Sequence, residues 1–89
     1  MANLRVIKKD IDYIVSEIVE DAFFSLQVIN DEKKEEELVK IINEAFELRE
    51  TLLAKVNHPS GTNLRAYYRE ISNELLTTAD SLFERIGER

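Results

Sequence analysis

Carboxylates dominate the side chains that could do chemistry: 18 Asp and Glu stand against 12 Lys and Arg, with one histidine and no cysteine. Glu17, Glu20 and Asp21 fall close together, as do Glu44 and Glu47. A carboxylate-bridged di-iron centre in a helical bundle needs a Glu-x-x-His pair on two helices, with single glutamates on others. The lone histidine, His58, has no Glu three residues before it. Both carboxylate clusters alternate with apolar residues and read as solvated helix faces, so no metal ligands and no catalytic acid or base are assigned. His58 and Ser60 lie astride Pro59, and nothing nearby would orient them as base and nucleophile. Pro59-Ser60-Gly61-Thr62 lacks the Gly-Lys-Ser/Thr ending of a phosphate-binding loop. No cofactor is expected, and the chain reads as a non-enzyme.

One cationic group stands out. Arg65 and Arg69 are four apart, in the opening turns of a helix whose dipole disfavours positive charge there. Free backbone amides and two guanidinium groups, with His58 nearby, compose a candidate anion contact of Arg65, Arg69 and His58. Pairing with Glu70, Asp10, Asp12 or a second subunit's acidic end is the structural alternative.

Three apolar stripes must position these groups. Leu4, Ile7, Ile11, Ile14, Val15, Ile18, Val19, Ala22, Phe23 and Leu26 recur at steps of three and four, the spacing of one helix face. Leu38, Ile41, Ile42, Ala45, Phe46, Leu48, Leu52, Leu53 and Val56 do the same, as do Leu64, Tyr68, Ile71, Leu75, Ala79, Leu82, Phe83 and Ile86. Asn30 or Asp31 caps the second helix, and Glu32, Glu35, Glu36 and Glu37 favour its positive end. His58-Pro59-Ser60-Gly61 ends it, Thr62 or Asn63 caps the third, and Gly87 stands where a C-terminal cap belongs. The pattern predicts an all-α fold of one domain, residues 1–89. It is an up-down-up three-helix bundle of long antiparallel helices over about 4–28, 32–57 and 63–86. Phe23, Phe24, Phe46, Tyr68 and Phe83 are expected to pack the core.

A bundle this small buries little of its surface and gains from a partner subunit; without cysteine it has no disulfide to help. The stripes are wider than a two-per-heptad seam. Val15, Val19 and Phe23 on helix one, with Val39 and Leu48 on helix two, are left over as an exposed patch of the kind that meets another chain. Tyr67 is a flanking candidate whose hydroxyl can stay wet at an interface. The partner expected is a second copy, a homodimer, with another protein as a further possibility.

The formal net charge of -6 disfavours general attraction to nucleic acid or anionic lipid. Charge is nevertheless divided along the bundle. One end gathers Arg5, Lys8, Lys9, Lys55, His58, Arg65 and Arg69, while carboxylates crowd the other. A nucleic-acid or small-anion accessory protein using the basic end is therefore the alternative function. No stretch has the roughly 20 apolar residues of a membrane span. The charged N-terminal residues Arg5, Lys8, Lys9 and Asp10 do not resemble a secretory leader. With no cysteine, the expected location is the cytoplasm.

Asn63-Leu64-Arg65-Ala66-Tyr67-Tyr68-Arg69-Glu70-Ile71 and Asp80-Ser81-Leu82-Phe83-Glu84-Arg85-Ile86 resemble the C-terminal helix of a family of small, uncharacterised, all-helical bacterial proteins. The resemblance implies a bacterial cytoplasmic helical protein and carries no reaction with it.

Overall fold

The computed structural model describes residues 4–87, so positions 1–3 and 88–89 of the domain read as 1–89 lie outside the described residues. Three helices follow in order: α1 Leu4–Val28, α2 Glu32–Asn57 and α3 Leu64–Gly87. Each packs against both others, giving an all-α three-helix bundle. The bundle measures 50 × 18 × 17 Å.

Local chemistry fixes where the helices begin and end. Asp31, in extended backbone, accepts a hydrogen bond from the Lys33 amide (3.0 Å) and caps α2. Asn63 does the same for α3, accepting from Ala66 N at 3.1 Å. At the end of α2 the His58 amide donates to Ala54 O (3.0 Å), and Pro59, with no amide hydrogen, cannot extend the ladder. Gly61 turns the chain at φ 89°, a conformation that side chains with a Cβ rarely adopt.

The core is aliphatic. Ile11, Val15, Ile18 and Ala22 of α1 meet Ile41, Ala45, Leu48 and Leu52 of α2 and Ile71, Leu75, Ala79 and Leu82 of α3. Alanines 22, 45 and 79 are all buried, and the phenylalanines are not part of this core. The expectation that phenylalanines fill the core is thereby corrected. All four (Phe23, Phe24, Phe46 and Phe83) are exposed, and only Tyr67 and Tyr68 rest against the core, edge to face at 5.7 Å.

Ion pairs on the flanks join the helices across the seams. Arg49 Nε donates to Asp12 Oδ1 (2.8 Å) across α1 and α2, and Lys55 Nζ to Glu74 Oε1 (2.8 Å) across α2 and α3. Arg85 holds Glu37 through Nε (2.8 Å) and Glu44 through Nη1 (2.9 Å), while Lys34 Nζ donates to the Arg85 carbonyl (2.7 Å). No described helix is long and apolar enough to cross a membrane.

Candidate interaction face

Exposed apolar side chains occur on all three helices, Leu76 and Phe83 on α3 among them, and one set flanks the groove between α1 and α2. The Asp12–Arg49 pair marks the antiparallel register there. It brings Phe46, three residues before Arg49, beside Val15 and Ser16, where Phe46, Val19, Ser16 and Glu20 line a shallow hollow of about 400 Å³. Val39, a further seven residues back on the same face of α2, falls level with Ala22 and Phe23. Phe23 is 51% exposed and Phe46 49%; Val39 is also half exposed, and Val19 is half-buried against the core. Together they form a strip about 12 Å long, two turns of helix.

This differs from the patch read from sequence. Val15 is 3% exposed and Leu48 7%; both belong to the core, so a surface role for them is corrected. They continue the four-three-four columns Ile11, Val15, Ile18, Ala22 and Ile41, Ala45, Leu48, Leu52, which define the inner seam. Phe46 lies one position off its column and is turned out. Val19 and Phe23 stand along the groove on α1, and Val39 and Phe46 complete it from α2.

Tyr67 lies elsewhere. Its hydroxyl donates to Lys55 O (3.0 Å) and approaches His58 O (3.5 Å), tying α3 to the end of α2. Arg65 and Arg69 are each two residues from Tyr67, about 200° around the helix. They therefore leave α3 on the side away from Tyr67 and His58, and the three members of the candidate anion contact do not converge. Both arginines are exposed and form no ion pair with a described residue. The carboxylates named as alternatives do not hold them, since Asp12 is engaged by Arg49.

A second hollow, about 660 Å³, lies at the acidic end between the α1–α2 connection and the end of α3. Three of its polar groups are already engaged: Asp31 by the Lys33 amide, Glu37 by Arg85, and Lys34 by the Arg85 carbonyl.

No described polar or charged residue is buried. Perturbed titrations follow from the ion pairs. The hydrogen bond from Arg85 holds Glu44 below the ordinary carboxylate range, and the same bond, with that to Glu37, raises Arg85. The Glu74 carboxylate raises Lys55. Among the described residues, no group of three or more His, Cys, Asp or Glu side chains is placed to hold a metal ion. Comparison of the chain with protein-family models, with curated proteins and with solved structures finds no match.

Proposed function

We propose that this chain is a non-enzymatic interaction protein that acts as a homodimer, its copies meeting through the α1/α2 groove. One observation carries the reading: every phenylalanine stands outside a core built of Ile, Leu, Val and Ala, and two of the four flank one groove with two valines. Aromatic residues are enriched at protein interfaces. A half-exposed ring on a bundle side gives the monomer little that an alanine would not. Placement in a bacterial cytoplasm belongs to the same proposal; a bundle without cysteine has no disulfide for a reducing compartment to break.

Sedimentation velocity of the wild-type chain and of a Phe23→Ser/Phe46→Ser variant, at micromolar concentrations, tests it. The wild type is expected to sediment as a dimer and the variant as a monomer with unchanged helical circular dichroism. A wild type that stays monomeric across the range would remove the proposal.

A further inference from the structure

We infer that the two copies pair antiparallel, about a two-fold axis passing near Val19, so that Lys8 and Lys9 of each copy lie against Glu32 and Glu35 of the other. The inference rests on the homodimer reading and adds the orientation that the charges on this face select.

The charges share columns with the apolar strip. On α1, Lys9, Ser16 and Phe23 follow one another at seven-residue steps, and Lys8, Asp12 and Val19 run beside them. On α2, Glu32, Val39 and Phe46 form a seven-residue column with Glu35 next to it. The face thus runs from lysines through the phenylalanine strip to carboxylates. Lys8 and Lys9 pair with no described residue, and neither do Glu32 and Glu35. Glu50, on the lysine half, Glu36, beside Val39, and Glu20, beside the strip, add exposed carboxylates near this face.

Distances along the axis match. Lys9 is ten residues from Val19, about 15 Å along α1. The Asp12–Arg49 register puts Glu32 level with Ile29, ten residues from Val19 in the opposite direction. A two-fold axis at Val19 superposes the apolar strips and carries each lysine pair onto the partner's acidic turn. A parallel pairing superposes the strips equally well but sets lysine on lysine and glutamate on glutamate, which is repulsive.

Shape favours this over the other way of joining opposite charges, end to end. The bundle is 50 Å long but only 18 by 17 Å across, so its side has far more surface to bury than its end toward the approximately 800 Å² per partner of a specific interface.

Two variants and one distance test the orientation. Lys8→Glu/Lys9→Glu is expected to raise the dimer dissociation constant at least about tenfold at 0.1 M salt, because two clusters per dimer turn from attraction to repulsion. Glu32→Lys/Glu35→Lys should do the same, and an equimolar mixture of the two should recover a heterodimer of wild-type affinity. Since the chain has no cysteine, Asn30→Cys gives a single spin-label site. Its separation between copies should be on the order of 35 Å for the antiparallel pair and under about 20 Å for a parallel one. A dimer whose affinity neither double variant changes, or whose label distance is short, overturns the orientation and leaves self-association standing. A monomeric wild type overturns both and leaves the face to a different protein.

Discussion

Replacing Phe46 by alanine separates the two places where an apolar side chain can act. If the ring were core, its removal would cost about 3–5 kcal/mol. At 49% exposure, beside an open hollow, it gives up only about half of the roughly 1.5–3 kcal/mol that full burial is worth. Alanine is also the better helix former, which offsets the loss by about 0.5 kcal/mol. The net expectation for the monomer is a loss of about 0.25–1 kcal/mol. The rest of the ring is wet in the monomer and would be dry in the proposed dimer, so its contribution should appear only where copies meet. Urea unfolding followed by circular dichroism at about 1 μM and 100 μM reads both quantities. The wild-type midpoint should rise with concentration, because dimerisation stabilises the folded state by mass action. The Phe46→Ala midpoint should fall slightly at the low concentration and show no rise at the high one. A loss above about 3 kcal/mol at the low concentration would refute this, since it would mean that the ring is packed in the core.

Arg85→Ala removes the clasp on Glu37 and Glu44 and should cost about 1 kcal/mol at pH 7, a small value because the partners remain partly exposed to water. The folded state holds Glu44 below its ordinary value of 4.5, so its contribution is complete above that pH and vanishes as pH falls through the lowered value. The stability gap between wild type and Arg85→Ala, measured by urea unfolding, should therefore close on acidification. For Lys55 the sign is opposite: its folded value is raised above 10.5, so the Glu74 pair stabilises fully below that pH and weakens as pH rises through the raised value. Glu74→Gln should lower the thermal midpoint at pH 8 and converge with wild type in strong alkali. Gly61→Ala should cost about 1 kcal/mol in chemical denaturation although nothing lies within 4 Å of the added methyl group, because the φ of 89° is strained for alanine.

The fold was legible because each helix advertises its own face. Isoleucines and leucines at steps of three and four, a carboxylate cap at Asp31 and a proline-glycine stop after His58 are all local signals. The candidate face was legible only in part. A helix in a three-helix bundle touches two neighbours, so its apolar arc is broad. Periodicity alone does not say which edge of that arc a neighbour covers. Val15 and Leu48 sit within that arc, and Phe46 at its edge looks equally apolar in sequence. The four-three-four columns through Ala22 and Ala45 were the signal that separates them. Small residues on a seam imply close helices, and close helices expel rings. The separation of Tyr67 from Arg65 and Arg69 was also readable, since a two-residue step turns 200°.

The most direct measurement is an amide NMR correlation spectrum of the wild-type chain recorded at about 10 μM and again at about 1 mM. Concentration-dependent shifts should cluster at Val19, Phe23, Val39 and Phe46, with Leu76 and Phe83 on α3 unchanged. Identical spectra, or shifts centred on Leu76 and Phe83, would contradict the assignment of the α1/α2 groove as the meeting face.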